Sequence, residues 1–355
     1  MVQADSPAAG TTPGVSPAQE RTTLGHAGVW RTFERTVARG RLASTYLFIG
    51  PEGIGKRAFA NELAAALLCP DGLAGALAPA ACGRCESCRL AAAGAHPDLL
   101  SVAKPADKSS LPLELFIGPP DRRHREGLCH DLAVKPLLGG RRIAVIDDAD
   151  LLGVESANAL LKTLEEPPPR SLLILLGTSL ARQLPTIRSR SQVIRFGRLS
   201  DATLRAVLER EALAPEGEDL AALVAAAGGS VAGALAAGDR ELADFKQQVV
   251  QQLRGGSFDP IRFSAAVMEQ SQRGGAEPAV RRQRLRAIIG YAVEHNRDEL
   301  RRVAAEPGAL RTGGGEATLE RLEHALTALE AIDRNANQAT VIQAWLTGAM
   351  PGAGV

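Results

Sequence analysis

The sequence predicts an α/β fold with a buried parallel sheet up to about Leu199, followed by two all-helical segments. Three observations predict it. Short apolar runs, at Tyr46-Leu47-Phe48-Ile49 and at 143–146, 172–176 and 193–196, are separated by helical patterns, and strands apolar on both faces belong in a sheet covered on both sides. A glycine-rich turn joins the first run to a helical segment at 58–68, the strand-loop-helix setting of a phosphate-binding loop. Beyond Leu199 the β-prone runs stop and three- and four-residue apolar spacing takes over, which marks amphipathic helices.

The 355 residues exceed what one core organises, so several domains are expected. The first, 1–22, is rich in Ala, Pro, Thr, Gly and Ser without apolar periodicity and reads as a disordered tail. An α/β domain at 23–199 follows. Ser200 and Asp219 are expected N-caps in a small helical domain at 200–243, its second helix ending at Gly228-Gly229, since such residues start and stop helices. The remainder, 244–350, reads as a helical bundle. One of its helices is expected to bury Leu285, Ile288, Ile289, Ala292 and Val293, and another a stripe of Leu319, Leu322, Leu326 and Leu329, with Gly313-Gly314-Gly315 as a loop between them.

Forty-one basic against forty acidic residues leave a net charge of +1, which gives no electrostatic case for a dedicated nucleic-acid coat protein. The longest purely aliphatic stretch, 172–176, is too short to span a bilayer, so a soluble, cytoplasmic protein without membrane contact is expected. In a reducing compartment, clustered cysteines point to metal. Cys69, Cys82, Cys85 and Cys88, the last three separated by two residues each, match the closed tetrahedral shell of structural zinc. A reduced cluster without metal, or a different soft metal, is the plain alternative. Cys129 lies outside this spacing and reads as an ordinary thiol.

The loop Gly50-Pro51-Glu52-Gly53-Ile54-Gly55-Lys56-Arg57 supplies glycines whose backbone N–H groups can cradle phosphate, with Lys56 placed for the outer phosphates. One position breaks the pattern. Hydrolysing loops carry Ser or Thr after the lysine to bind magnesium, and Arg57 cannot ligate a cation. Asp147 and Asp148 end the buried run 143–146, where carboxylates could still face magnesium. A loop that binds ATP or ADP without turnover and a purely structural loop both remain open. Thr178, just beyond the run 172–176, reads either as a sensor of the γ-phosphate or as a strand cap. The helix 155–166, stopped by Pro167-Pro168-Pro169, carries a polar stripe of Asn158, Lys162 and Glu165. Arg188 and Arg190 follow on a short turn, where they read either as solubilising charges or as the kind of arginine that neutralises transition-state charge when a neighbour inserts it into an ATP site.

The ordered set Leu24-Gly25-His26, the loop 46–56, the cysteine cluster, His96-Pro97-Asp98, the segment 158–167 and Leu184-Pro185-Thr186-Ile187-Arg188-Ser189-Arg190 resembles the delta-prime subunits of bacterial DNA polymerase III clamp loaders over about residues 23–200. The resemblance implies an AAA+ P-loop module with an inserted zinc module at 69–88, a helical lid and an all-α collar. It implies a five-subunit ring with gamma/tau-type and delta-type subunits that loads the sliding clamp onto primer-template DNA during replication. Within a DNA polymerase holoenzyme such a subunit needs no activity of its own. It places Arg190 as an arginine finger acting in trans, with Ser191 where clamp loaders usually have cysteine. Asp148 stands where an activating Glu is usual, and Gly229-Ser230 is followed by Val231-Ala232 where active subunits carry a sensing arginine. Two other functions stay in view: an ATP-hydrolysing motor subunit of the same superfamily, opposed by Arg57 and Asp148, and a zinc-dependent nucleic-acid-binding module, for which Arg84 and Arg89 are thin support. The stretch 111–130 fits the family pattern poorly.

Overall fold

The computed structural model describes residues 22–72, 79–105, 108, 110–138, 140–213, 219–254, 259–273, 278–305, 313–333 and 336–348. The expected tail therefore lies almost wholly outside the described residues. Strands β1 (Thr45–Ile49), β2 (Leu99–Val102), β3 (Arg142–Ile146), β4 (Ser171–Gly177) and β5 (Gln192–Arg195) form one parallel sheet in the order β2-β3-β4-β1-β5. This is the buried parallel sheet, with a glycine-rich loop after its first strand, that the sequence predicts. Four strands lie within a residue or two of the apolar runs. The fifth, β2, escapes sequence reading because Leu99-Leu100-Ser101-Val102 is a short edge strand, half-buried and interrupted by an exposed serine.

Alternate side chains of the buried strands feed two cores, as the two-residue period of a pleated strand requires. Tyr46, Phe48, Leu172, Ile174 and Leu176 face helices α1 (Ala27–Ala38) and α2 (Lys56–Leu68), where Phe59 is fully buried against Trp30, Phe33, Phe48 and Phe196. Leu47, Ala144, Ile146, Leu173 and Leu175 face the opposite layer. After the short α3 (Glu86–Ala92), that layer is built from α4 (Glu114–Ile117), α5 (Leu128–Ala133) and α6 (Val154–Glu165). The stretch 111–130 thus has a plain role: Leu111, Phe116, Ile117 and Leu128 cover the second face of the sheet. Its two helices are four and six residues long, too short to show helical periodicity.

Beyond α7 (Pro185–Arg188), helices α8 (Asp201–Arg210), α9 (Leu220–Ala226) and α10 (Val231–Ala237) share a small core of their own. Ser200 caps α8 by accepting from the Thr203 N–H, and Asp219 caps α9 by accepting from the Ala221 N–H. Gly228 and Gly229 follow α9 with positive φ. Helices α11 (Arg240–Arg254), α12 (Pro260–Gln272), α13 (Pro278–Ala304), α14 (Gly313–Asp333) and α15 (Gln338–Gly348) enclose a further core. Leu285, Ile288, Ile289, Ala292 and Val293 of α13 are buried in it, as expected.

Two details of α14 differ from expectation. The triple glycine is its first turn rather than a loop. Its buried face is Ala325, Ala328 and Ile332, flanked by Leu322 and Leu329, whereas Leu319 and Leu326 point outward. Small alanines at the contact let α14 approach α13 closely, so the helix turns its alanines rather than all its leucines inward.

Candidate functional site: a phosphate loop with an internal cation

The C-terminal ends of β1, β3 and β4 open on the same side of the sheet, where β4 inserts between β1 and β3. Such a crevice is where open α/β sheets place ligands. A cavity of about 1010 Å³ lies there, and it gathers Gly53, Gly55, Lys56, Arg57, Asp147, Asp148 and Thr178. Gly50 stands behind it: its carbonyl and that of Pro51 each accept from the Lys56 ammonium at 2.6 Å. Burial is the main cause that pushes the Lys56 pKa below its ordinary value.

The loop is held from both sides. Gly53 has φ +69°, and its carbonyl accepts from the Val231 N–H at 2.9 Å, so the first turn of α10 rests on the loop tip. A Cβ at Gly53 would stand 2.5 Å from the Ala232 nitrogen. On the inner side, buried His26 donates its Nε2–H to the Ile54 carbonyl at 2.6 Å and packs edge-on against Phe196. Desolvation lowers the pKa of this imidazole.

Arg57 makes the site unusual. Its guanidinium is 3.1 Å from Asp147 Oδ2, while Asp147 Oδ1 accepts from the Asp148 N–H at 3.0 Å. In a hydrolysing P-loop these are the places of the magnesium-binding hydroxyl and of a magnesium-facing carboxylate. A divalent cation on Asp147 would sit roughly 4 Å from the guanidinium, a repulsion of about 8 kcal/mol at an effective dielectric constant near 20. The residues present do not fit a bound magnesium ion. Asp148, at φ +54°, has its pKa raised by burial first and by Asp147 second.

Asp150 was not among the predicted site residues, and it organises the back wall. Its Oδ2 accepts from both the N–H and the hydroxyl of Thr178 at 2.7 Å, and its Oδ1 accepts from Gln183. The Thr178 hydroxyl is therefore committed to Asp150. The Asp-Asp-Ala-Asp run held the signal for Asp150, because three carboxylates after a buried strand need partners.

The four cysteines form a second, separate site. Their sulfurs lie within 4.8 Å of one another, with Cys69 to Cys85 at 3.9 Å and Cys82 to Cys88 at 4.0 Å. A tetrahedron of thiolates about 2.3 Å from a metal ion has edges of roughly 3.8 Å, so the set could hold such an ion. The backbone N–H groups of Cys82 and Cys88 donate to the sulfurs of Cys69 and Cys85. Backbone donors from Arg84 and Cys85 bring the Cys82 pKa down to about 6, whereas burial raises those of Cys69 and Cys88.

His96-Pro97-Asp98 ties this module to the sheet. His96 Nδ1 accepts from the Asp98 N–H, so its Nε2–H faces the Ser87 hydroxyl, which in turn donates to the Leu68 carbonyl at the end of α2. Asp98, 1% exposed, accepts from the N–H groups of Leu137 and Leu138 and lies 3.5 Å from the Arg142 guanidinium. Cys129 stands apart from these groups, half-buried, with its thiol directed at the Ala159 carbonyl.

Arg190 occupies a third place, on the turn after α7. Its Nη2 bonds Glu165 Oε1 at 2.7 Å, and its Nη1 donates to the Thr186 carbonyl and the Ser189 hydroxyl. The polar stripe of α6 and the arginine turn, separate in sequence, are thus one surface.

The family model described as "DNA polymerase III, delta subunit" matches residues 25–200, the whole sheet with both sites. Over those residues, just under half of its length, the chain is similar to this DNA polymerase III family. Among its relatives, the DNA polymerase III subunit delta' of Pseudomonas aeruginosa is 41% identical over 152 residues, 43% of this chain and 42% of the relative. That of Escherichia coli is 35% identical over 166 residues, 45% of each chain. The gamma/tau subunit of Mycobacterium tuberculosis is 34% identical over 196 residues, 55% of this chain and 31% of its own. The chain thus spans less than half the length of these relatives. A solved gamma subunit-related protein of Thermotoga maritima superposes with a TM-score of 0.38 at 13% identity, covering 90% of this chain and 97% of that one. Among the described residues, no helix of the chain is long and apolar enough to cross a membrane.

Proposed function

We propose that the chain acts as a delta-prime-type clamp-loader subunit that serves a neighbour's ATP site and does not hydrolyse ATP itself. The observation that carries this reading is the Arg57–Asp147 ion pair, which puts a side-chain cation where hydrolysis needs a magnesium ion. In this reading Arg190, tethered to Glu165 in the single chain, exchanges that carboxylate for a neighbour's triphosphate on assembly. The exchange suits a planar guanidinium, which pairs equally well with carboxylate and phosphate. The module at 69–88 holds zinc through its four thiolates and has a structural role, since a closed four-thiolate shell leaves no open position for chemistry.

The assignment extends to the whole assembly: gamma/tau-type and delta-type subunits in a five-membered ring, acting on the sliding clamp and primer-template DNA in the cytoplasm. The domains proposed are the sheet at 23–199, a lid at 200–243 and an oligomerising collar at 244–350. The docking of α10 on Gly53 suits a lid, although no arginine follows Ser230 to sense a nucleotide. The test is turnover by the purified chain. It is expected to show no magnesium-dependent ATPase above background, and turnover abolished by Lys56→Ala would replace this reading with that of a motor subunit.

A further inference from the structure

The cavity at the phosphate loop has a charge balance that the ion pair explains only in part. Its wall carries seven cationic side chains against five carboxylates. Two ion pairs cancel within the wall, Arg57 with Asp147 and Arg210 with Glu211, which leaves an excess of two positive charges, while Asp150 accepts from Thr178 and Gln183. Lys56 is the reverse case. Its ammonium rests on two backbone carbonyls, neutral partners that an anionic phosphate oxygen displaces with gain, because it adds the attraction of a full opposite charge. The rest of the wall includes Leu24, Ile54, Leu199, Val207 and Val231, an apolar surface suited to a nucleobase. Phosphate-binding backbone, surplus positive charge and an apolar wall therefore meet in one cavity that is closed to a divalent cation at its usual place.

We propose that this cavity takes a nucleoside di- or triphosphate free of divalent metal, with the Arg57 guanidinium as its built-in countercharge. The proposal rests on the nucleotide reading of the site. Ordinary P-loops bind the magnesium complex, in which the metal neutralises part of the phosphate charge. Here the metal-free anion presents its full charge to Lys56 and to the guanidinium already positioned by Asp147, whereas the magnesium complex carries less charge and brings its ion against Arg57. Metal is a competitor at this site, and the expected dependence on it is opposite to that of a hydrolysing P-loop.

The experiment is fluorescence titration of the full chain with a methylanthraniloyl-labelled ADP, in EDTA and in excess magnesium, for the wild type, Arg57→Ser and Asp147→Asn. The wild type is expected to bind at least as tightly in EDTA as in magnesium, and Asp147→Asn to retain metal-free binding. Arg57→Ser restores the hydroxyl and is expected to reverse the preference, binding about tenfold tighter in magnesium, a change of about 1.4 kcal/mol. In a parallel measurement, the paramagnetic signal of free manganese should persist when wild-type chain and nucleotide are mixed and fall with Arg57→Ser. Wild-type binding about tenfold tighter in magnesium would overturn metal exclusion and leave the nucleotide reading standing. If neither the wild type nor Arg57→Ser binds in either medium, the nucleotide reading falls and the proposal with it. Thermal melts of the three chains guard against a folding artefact, since Arg57 is half-exposed and its replacement leaves no cavity.

Discussion

Replacing Asp98 by Asn tests whether one buried carboxylate fixes the segment before β3 to the start of the sheet. Asp98 Oδ1 accepts from the Leu137 N–H at 2.8 Å and Oδ2 from the Leu138 N–H at 2.9 Å, and Oδ1 stands 3.5 Å from Nε of Arg142, itself only 7% exposed. The amide keeps one acceptor, turns an NH2 toward the other backbone donor and removes the charge. One charge-assisted hydrogen bond is worth about 1.5–3 kcal/mol, and a buried guanidinium that loses its carboxylate and keeps only the Asp131 carbonyl raises the total to about 3–5 kcal/mol.

The chain offers a clean reporter, because its two tryptophans divide between cores: Trp30 lies against the sheet and Trp345 in the helical bundle. In a Trp345→Phe background, urea unfolding followed by the remaining fluorescence reads the sheet alone. Asp98→Asn should lower the midpoint by the equivalent of about 3 kcal/mol or more, while the exposed control Asp121→Asn should shift it by under about 0.5 kcal/mol. A shift for Asp98→Asn below about 1 kcal/mol would refute the reasoning.

Other outcomes follow from the same geometry. Elemental analysis should find about one zinc per chain, and its removal by chelator should lower the melting temperature; an unchanged melt in metal-free chain would contradict the four-thiolate shell. Burial depresses the pKa values of His26 and His96, so both imidazoles should titrate below the ordinary 6.5 by nuclear magnetic resonance. The sign is fixed: the unfolded chain takes up these protons first, so the stability they contribute is full above about pH 6.5 and falls by up to about 1.4 kcal/mol per pH unit for each group as pH drops. Titration at or above 6.5 would contradict the buried hydrogen bonds. Gly53→Ala forces a Cβ against Ala232 at a positive φ, at a cost of about 1–3 kcal/mol; the amide of Val231 should then lose protection from hydrogen exchange, and unchanged protection would mean that α10 does not rest on the loop.

Much of this was legible because the deciding signals are local. Apolar runs gave four strands, the glycine spacing and Lys56 gave the loop, and three cysteines two residues apart gave the module. Ser200 and Asp219 announced their helices by the same short-range chemistry that fixes them. What escaped depends on contacts between distant segments. Nothing near Arg57 states that its guanidinium meets Asp147, ninety positions on, and nothing near Arg190 points to Glu165. The roles of Asp98 and Asp150 exist only because loops from elsewhere bring N–H groups to them. On α14 the leucine spacing misled, since close packing against α13 chose the alanines Ala325 and Ala328 over Leu319 and Leu326.

The most direct test of the central claim is the ATPase rate of a clamp loader reconstituted with this chain carrying Arg190→Ala, stimulated by clamp and primed DNA. The ring should assemble, and hydrolysis at the site this chain serves should slow by about a thousandfold, as removal of an arginine finger does, which deletes that site's share of the turnover. An assembled mutant ring that hydrolyses ATP at the wild-type rate would contradict it.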